Sequence, residues 1–221
     1  MDFSFLAETP LFCGCGQKEI SDLLHDLKHS LRAYKKGTII LHSGSFVMDL
    51  GLVMEGSVQI ETVDLSGARS ILGICERGDV FAESYACIPD QPLLVDVVAR
   101  EDTTVLFIHV PSLLSARAPH GGSPVVQNLL GIASRKNLRL SMRIFHSAPK
   151  KIRDKLYSYF SELVTTQGST EIRIPLDRQQ LADYLGVERT ALSKELGKMK
   201  REGLLDYHKN RFRIYVDVNR D

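Results

Sequence analysis

Short apolar runs separated by turn residues fill the first half of the chain. Between Tyr34 and Val110 these runs are "GTIILHSG", "LGLVMEGSVQIETVD", "ARSILGICERGDVF", "LLVDVVARED" and "TTVLFIHV", with Gly, Asp, Ser and Pro at their ends. Short β-like runs at this spacing favour an antiparallel sandwich or barrel over βαβ units. Ahead of them, residues 17–30 have the period of an amphipathic helix, with Ile20, Leu23, Leu24 and Leu27 on one side.

A long helix is predicted to begin at Pro124. Ser123 has the form of an N-cap, and proline fits the first helical position after it. A stripe then recurs at alternating steps of four and three residues: Val126, Leu130, Ala133, Asn137, Leu140 and Ile144. This heptad spacing is typical of a parallel dimeric coiled coil, in which one asparagine fixes the register. We expect a dimerisation helix; the alternative is an amphipathic helix packed on its own domain, with Asn137 at its edge.

The last third of the chain has the pattern of a helix-turn-helix. An amphipathic helix at 149–166 and a short strand at "EIRIPL" precede it. Asp177 suits the cap of a helix "RQQLADYL", Gly186 permits a sharp turn, and "ERTALSKELGKMKREG" predicts a second helix ending at Gly203. That second helix has an apolar stripe for burial: Ala191, Leu192, Leu196 and Met199.

The polar face of the second helix is the candidate base-reading surface. Its outward side chains are Arg189, Thr190, Ser193 and Lys194. Donor-rich side chains near a helix N-terminus suit the major groove, which admits one helix and exposes acceptors on guanine and adenine. The next stretch, "LLDYHKNRFRIYVD", predicts a β-hairpin around Lys209–Asn210, whose basic tip with Lys209 and Arg211 contacts phosphates. A helix-turn-helix alone is weak evidence, but helix, turn, helix and basic hairpin in this order predict binding to double-stranded DNA.

Charge divides the 221 residues into two unlike halves, at a length that allows two domains. Residues 1–120 carry 9 basic and 16 acidic side chains, and residues 121–221 carry 19 basic and 11 acidic side chains. The two halves therefore have net charges of −7 and +8, although the net charge of the whole chain is only +1. A basic C-terminal half agrees with a polyanionic partner. Since the chain has neither an apolar run of roughly 20 residues nor a signal-peptide pattern, we expect a cytoplasmic protein with no membrane partner and with reduced cysteines.

In this order of elements the chain resembles the CRP/FNR family of bacterial transcription regulators. The resemblance covers nearly the whole chain, and it is carried by "GLVMEGSVQIETVDLSGARSILGICERGDVFAES" and "IPLDRQQLADYLGVERTALSKELGKMKREGLLDYHKNRFRIY". It implies an α+β fold: a cyclic-nucleotide-binding-like β-roll (jelly roll) at 1–121, a dimerisation helix at 122–147 and a winged helix-turn-helix domain at 148–221. It also implies a homodimer on two DNA half-sites, gated by a small-molecule or redox effector, with RNA polymerase as a partner if the protein is an activator.

The family pattern also implies roles for single residues. By the resemblance, Arg178 and Gln179 hold phosphates, and Arg189, Thr190, Ser193 and Lys194 occupy the base-reading positions. Many members have glutamate where Thr190 stands and arginine where Lys194 stands. This chain is therefore expected to prefer a different half-site.

The candidate effector pocket, Glu83, Ser84, Leu93 and Leu94, departs from the cyclic-nucleotide pattern. By the resemblance, a Gly-Glu pair holds the ribose, and an arginine followed by serine or threonine neutralises the phosphate. Here Glu83 is kept, Ala82 replaces the glycine, and Leu93–Leu94 occupy the Arg-Ser positions. A buried phosphate without a charge partner is costly. Cyclic AMP is therefore not expected, and the leucines better suit an apolar or aromatic small molecule.

Cofactor sensing is an open alternative. FNR-like members carry an iron–sulfur cluster on cysteines, and the metal-ligand candidates here are Cys13, Cys15, Cys75 and Cys87, although C-x-C is tighter than common cluster spacings. The same thiols are candidates for a zinc site or a redox switch. Candidate haem ligands are His25 and His29, expected one helical turn apart, and His42 and His109 on predicted strands. The remaining alternative is that no cofactor or ligand binds.

Two other classes of protein compete with a regulator. Jelly rolls also house cupin-like metalloenzymes, whose sites cluster two or three histidines with a carboxylate. Because this roll has only His42 and His109 and no H-x-H, we expect no enzyme. An interaction adaptor would use the basic half on a protein partner instead of DNA.

Overall fold

The computed structural model describes residues 1–63, 67, 69–88, 90–115 and 124–215. The chain divides into two compact units, Met1–Arg135 and Lys136–Asp221. Because the division falls inside the long helix, the domain boundaries 1–121, 122–147 and 148–221 stay predictions.

Antiparallel strands build the first unit. They are β1 (His29–Tyr34), β2 (Ile39–Leu41), β3 (Asp49–Glu55), β4 (Val58–Val63), β5 (Arg69–Cys75), β6 (Val80–Phe81), β7 (Asp96–Ala99) and β8 (Thr103–His109). Among the described residues these strands form two four-stranded sheets, with the orders β1-β8-β3-β6 and β2-β7-β4-β5. The sandwich predicted from the short apolar runs is confirmed.

Apolar side chains from both sheets fill one core of the first unit. They are Val53, Val58, Cys75, Phe81, Val97, Val105 and Phe107. Glycine is required at position 51, since a Cβ there would lie 2.2 Å from Cζ of Phe81. A larger residue at this position would displace the Phe81 ring.

Short helices accompany the sheets: α1 (Phe3–Glu8), α2 (Gln17–Asp26), α3 (Glu83–Ala86) and α4 (Val110–Ser115). Leu6 of α1 and Ile20 of α2 pack with the second core of the first unit, which includes Leu52 of β3 and Leu106 of β8. Because strand side chains alternate between faces, β3 and β8 supply both cores. The helix expected at 17–30 is shorter, because Leu27 has extended backbone angles and β1 begins at His29.

Helix α5 (Pro124–Ser147) confirms the predicted long helix. Its expected N-cap, Ser123, lies outside the described residues. Val125, Leu129 and Ile132 are buried in the core that α1 and α2 share with β3 and β8. This face of α5 therefore supports the first unit.

The second unit combines the end of α5 with further helices and a small sheet. Its elements after α5 are α6 (Ile152–Gln167), β9 (Glu171–Arg173), α7 (Arg178–Leu185), α8 (Arg189–Arg201), β10 (Leu205–His208) and β11 (Arg211–Ile214). The sheet order is β10-β11-β9, antiparallel throughout. The core of the second unit includes Leu156, Phe160, Leu181, Leu196 and Phe212. None of the described helices is long and apolar enough to cross a membrane.

Candidate DNA-binding interface

Local features of the sequence fix both ends of α7. The Asp177 carboxylate accepts from the backbone N–H of Gln180 at 2.8 Å, and Oε1 of Gln180 accepts from the Asp177 N–H at 2.9 Å. This reciprocal cap begins α7, as the sequence predicted. Gly186 ends α7 with φ +62°, a left-handed conformation that favours glycine. α8 ends at Arg201, two residues earlier than predicted.

Helix α8 separates apolar from polar side chains. Leu192, Leu196 and Met199 are fully buried. The four side chains predicted to read bases, Arg189, Thr190, Ser193 and Lys194, are exposed. Thr190 Oγ1 donates a hydrogen bond to the Glu188 carboxylate, and this bond lowers the pKa of Glu188. The Thr190 hydroxyl is thus already engaged in the free protein.

Arg153 of α6 holds α8 in place, a role that the sequence pattern did not indicate. Its Nε donates to Oε1 of Glu195 at 2.6 Å, and its Nη1 lies 2.7 Å from Oε2 of Glu202. The bond from Arg153 lowers the pKa of Glu202. Because the two carboxylates lie at the middle and the end of α8, one guanidinium fixes this helix against α6.

Arg178 supports the hairpin formed by β10 and β11, called the wing. Its guanidinium carbon lies 4.9 Å from the ring centroids of both Tyr207 and Phe212, and its Nη2 donates to the Lys209 carbonyl at 3.1 Å. Burial lowers the pKa of Arg178. The phosphate-binding role expected of Arg178 is therefore joined by a structural role in the free protein. Gln179 is exposed and donates to the Asp183 carboxylate at 2.9 Å.

An open groove of about 880 Å³ collects many of these side chains. Arg178, Gln179, Arg189 and Lys209 are among the residues that line it. Lys209 forms the tip of the wing with φ +54°, and both Lys209 and Arg211 are exposed. The structure thus brings the amino end of α7, the amino end of α8 and the wing tip to one surface.

The end of α5 contacts the helix-turn-helix inside the second unit. Arg143 Nη2 donates to the Asp183 carbonyl at 3.1 Å, and Nδ1 of His146 lies 3.0 Å from the Tyr184 hydroxyl. The His146 side chain is fully buried, and its Nε2 lies 3.7 Å from a Glu162 carboxylate oxygen. The last turn of α5 is therefore packed on α6 and α7.

The expected dimerisation stripe on α5 is largely exposed. Leu130, Leu140 and Ile144 are between 62% and 68% exposed, and Asn137 is exposed with its Oδ1 accepting from Ser141 Oγ at 3.3 Å. Ala133 is partly buried, and Val126 packs partly against the core of the first unit.

The expected effector pocket is only partly assembled. Glu83 and Leu93 are buried, Ser84 is exposed, and Leu94 is 65% exposed. Leu94 therefore does not share the buried environment of Leu93, and the effector pocket stays a prediction. Ala82 adopts φ +58°, a left-handed conformation that favours glycine. The segment also contains neither lysine nor arginine between Arg77 and Arg100.

The four cysteines are not brought together. Cys75 is buried between the two sheets, Cys15 packs against the other core of the first unit, and Cys13 and Cys87 are exposed. Partial desolvation of the two thiol groups raises the pKa values of Cys15 and Cys87, which disfavours the metal-binding thiolate. Among the described residues, no group of three or more His, Cys, Asp or Glu could hold a metal ion. These positions do not fit a four-cysteine cluster.

The candidate haem histidines lie on separate elements. His25 is on α2 and His29 begins β1, so the expected pair one helical turn apart does not form. His29 Nδ1 lies 3.1 Å from the Leu27 carbonyl, and His109 Nδ1 accepts from the Ser112 N–H at 3.3 Å. His42 is exposed just after β2, not within a strand. The histidines therefore fit surface or hydrogen-bonded roles better than haem ligation.

Comparisons with known proteins agree with this architecture. Residues 31–119 match the model of the cyclic nucleotide-binding domain, and residues 154–218 match that of the Crp-like helix-turn-helix domain. The transcriptional activator protein FnrL of Cereibacter sphaeroides is 23% identical over 219 residues, covering 93% of this chain and 84% of FnrL.

Two solved structures show the same fold. The catabolite activator protein of Thermus thermophilus is 23% identical in sequence. The match covers 93% of this chain and 93% of that protein, with a TM-score of 0.52. CprK complexed with OCPA is 18% identical and covers 90% of this chain and 92% of CprK, with a TM-score of 0.61. A roll joined by a long helix to a winged helix-turn-helix defines a class of DNA-binding transcription regulators. Within it, this chain belongs to the CRP/FNR family.

Proposed function

We propose that this regulator works as a homodimer, reads two DNA half-sites with the amino end of α8, and responds to an effector other than cyclic AMP. The observation that carries the DNA-reading part is the joint exposure of Arg189, Thr190, Ser193 and Lys194 beside fully buried Leu192. A helix with that division enters the major groove with its polar face and keeps its apolar face in the protein core.

The polar side chains divide into base-reading and phosphate-binding groups. Arg189 and Lys194 supply donors for guanine O6 and N7, and Thr190 and Ser193 suit either donor or acceptor edges. Gln179, Lys209 and Arg211 contact phosphates, which set the register on the duplex without reading sequence. Arg178 adds a phosphate contact while it supports the wing.

Dimerisation rests on the exposed heptad stripe of α5. Leu130, Leu140 and Ile144 present apolar side chains to solvent, and a second copy of α5 would cover them. Asn137 would pair with its counterpart and fix the register. Two recognition helices related by a two-fold axis then meet half-sites about 34–36 Å apart, or a multiple of this distance.

The Asn137→Leu variant tests this arrangement. We expect a more stable protein that is less uniquely dimeric, because leucine removes a buried polar pair and the register it specifies. Sedimentation velocity and thermal melting measure both effects, and Ser134→Leu, outside the stripe, is the matched control. If Asn137→Leu sediments and melts like the wild-type protein, the proposed dimer helix is wrong.

The effector is proposed to be an apolar or aromatic small molecule. Buried Leu93 and the lack of lysine and arginine between Arg77 and Arg100 favour such a ligand over an anionic nucleotide. Effector binding would shift the two α5 helices between arrangements and so change the spacing of the recognition helices. FnrL is a transcriptional activator, and if this chain also activates, RNA polymerase is its partner in the cytoplasm.

Selection of duplexes from a random library by the full chain tests the function. We expect a palindromic consensus whose half-site centres lie about one helical turn apart, and affinity for it that falls linearly with salt on logarithmic axes. Selected duplexes without two-fold symmetry would contradict the proposal that a homodimer binds two half-sites. Absence of duplex binding at low salt, with small apolar ligands and reducing or oxidising conditions explored, contradicts the DNA-reading role of α8.

The absorption spectrum of protein purified without oxygen tests the effector proposal separately. A featureless spectrum before and after addition of haem is the expected result. A sharp haem band would instead direct mutagenesis to the histidines, and a brown shoulder that bleaches in air would direct it to the cysteines. Either chromophore would overturn the proposal of an apolar effector.

A further inference from the structure

Glu188 lies immediately before α8 and binds one of the side chains expected to read bases. Its backbone is extended, and α8 begins at the next residue, Arg189. The Glu188 carboxylate accepts a hydrogen bond from Thr190 Oγ1, two residues further along the chain. Both side chains are exposed. This bond therefore belongs to the surface that is proposed to face DNA.

The Glu188 carboxylate is ionised at neutral pH. The hydrogen bond from Thr190 lowers the pKa of Glu188 most, and backbone N–H groups of the first turn of α8 and the charge of Lys194 also lower it. A negative charge near the amino end of a helix is further stabilised by the helix dipole. Because an ionised carboxylate carries no proton, it can only accept hydrogen bonds. Glu188 therefore fixes the direction of its bond with Thr190.

The direction of this bond limits what Thr190 can offer to a base. A threonine hydroxyl has one proton and two lone pairs. Because the proton is donated to Glu188, only the lone pairs of Thr190 stay available. The exposed hydroxyl of Ser193, in contrast, forms no hydrogen bond with the residues that the structure describes. Ser193 can thus rotate to donate or to accept, whereas Thr190 can only accept.

The pattern of donors in the major groove decides which bases suit such an acceptor. Adenine N6 and cytosine N4 are the donors there, whereas guanine O6 and N7 and thymine O4 are acceptors. An acceptor that meets another acceptor in a desolvated interface leaves both without a hydrogen bond, which is costly. Arg189 and Lys194 carry donors alone, so neither can replace Thr190 opposite an amino group.

We propose that Glu188 determines specificity at one base pair of each half-site by holding Thr190 as a hydrogen-bond acceptor for the exocyclic amino group of adenine or cytosine. Glu188 is a positioning residue, because it acts through Thr190 and does not need to touch the base. The inference rests on the proposed reading of DNA by α8, and it narrows the role of Thr190 within that function.

Deletion of single amino groups from a bound duplex tests the acceptor role of Thr190. The probe is a duplex selected by the full wild-type chain, in which purine replaces adenine or pyrimidinone replaces cytosine, one position at a time. Each analogue lacks only the exocyclic amino group, so it removes one major-groove donor. At one position of each half-site, the substitution should weaken binding about fivefold more for wild type than for Thr190→Val, a ratio that corresponds to one neutral hydrogen bond.

Inversion of that base pair tests the role of Glu188. The inverted pair presents an acceptor where the amino group stood. Wild type should bind more weakly, whereas Glu188→Ala should tolerate the inversion about fivefold better, because the released hydroxyl can turn and donate. In a Thr190→Val background, Glu188→Ala should not change the cost of inversion, since the hydroxyl through which Glu188 acts is absent.

A matched variant separates this effect from the loss of a charge. Glu8→Ala removes one exposed negative charge from the end of α1, so it equals Glu188→Ala in net charge. It should keep the wild-type cost of inversion. Because Glu188 and Thr190 are exposed, their substitutions should leave the core of the second unit unchanged, which thermal melting verifies.

The possible results distinguish the two residues from the function as a whole. Equal effects of amino-group deletion on wild type and Thr190→Val at every position would overturn the acceptor role of Thr190. A Glu188→Ala protein that keeps the wild-type cost of inversion, or that tolerates inversion better also when residue 190 is valine, would overturn the positioning role of Glu188. Each of these results would leave base reading by Arg189 in place. A wild-type chain that selects no duplex would instead overturn the proposed function.

Discussion

The winged unit holds its cationic side chains at the surface around the start of α8, whereas the expected effector pocket of the roll has buried Glu83 and Leu93 and no nearby cation in its sequence. Both units nevertheless have cores of the same kind, with Leu106 and Leu196 completely buried. The fold of a unit therefore depends on its apolar pattern, and its ligand depends on a few polar positions. The winged unit exposes donor-rich polar side chains, whereas the expected pocket of the roll buries a carboxylate and a leucine.

Among the predicted effects, truncation of one leucine in each core should change the free energy of unfolding the most. Leu106→Ala in the roll and Leu196→Ala in the winged unit should each cost about 2–5 kcal/mol, because each leaves a cavity in a fully buried cluster. Hydrogen exchange measured by mass spectrometry should show lost protection mainly in the unit that carries the substitution. Equal loss of protection in both units would show that the two cores unfold together.

Two glycines of the helix-turn-helix should respond to alanine in opposite directions. At Gly186 the space around a Cβ is open, but φ is +62°, so Gly186→Ala should destabilise the winged unit by about 1 kcal/mol. Gly197 lies inside α8, and its Cβ would meet only the end of the Arg201 side chain at 3.7 Å. Gly197→Ala should therefore stabilise by up to about 1 kcal/mol.

Urea unfolding of the two variants measures this difference. Opposite shifts of the midpoint, with the same slope against urea, are expected. If both substitutions destabilise the protein, steric crowding around the helices, and not the backbone conformation of Gly186, determines the effect of alanine at these positions.

The smallest expected effect near neutral pH comes from His146. Burial lowers its pKa below the ordinary value of 6.5 and outweighs the opposite influence of Glu162. The neighbouring hydroxyls of Tyr159 and Tyr184 stay neutral, since burial raises their pKa values, that of Tyr159 to about 12. An unfolded chain then binds the proton more readily than the folded one. The contribution of neutral His146 to the free energy of unfolding is fully present above pH 6.5. It is lost as the pH falls from 6.5 through the pKa of His146 in the folded protein.

The His146→Asn variant isolates this effect, because asparagine keeps a polar group and does not titrate. Between pH 7.5 and about 5.5, the free energy of unfolding should fall more steeply for wild type than for the variant. Parallel pH profiles would show that other groups cause the acid sensitivity of the winged unit.

Local patterns predicted most of the fold and the division of α8 into a polar and an apolar face. Asp177 caps the start of α7, and Gly186 adopts the left-handed conformation that ends it. Because both residue types favour these positions, the boundaries of α7 follow from the sequence. The period of Leu192, Leu196 and Met199 likewise identifies the buried side of α8. Such features depend on neighbours within a few positions, and a single sequence contains them.

Contacts between distant residues were not predictable in this way. Arg153 meets Glu195 and Glu202 only after α6 and α8 pack, and no local spacing links them. The burial of His146 likewise depends on α6 and α7. Strand β1 was missed because its side chains are mostly exposed, so it lacks an apolar period. The expected pocket partner Leu94 faces solvent, although its neighbour Leu93 is buried.

Binding of wild type and Arg189→Ala to every single-base-pair variant of the selected duplex, at one salt concentration, tests the central claim most directly. If the exposed amino end of α8 reads bases, Arg189→Ala should lose about 1–3 kcal/mol of discrimination at one base pair of each half-site and keep it elsewhere. Weakening by the same factor on all variants would show that Arg189 contacts only phosphate, and would contradict the claim that this face of α8 reads sequence.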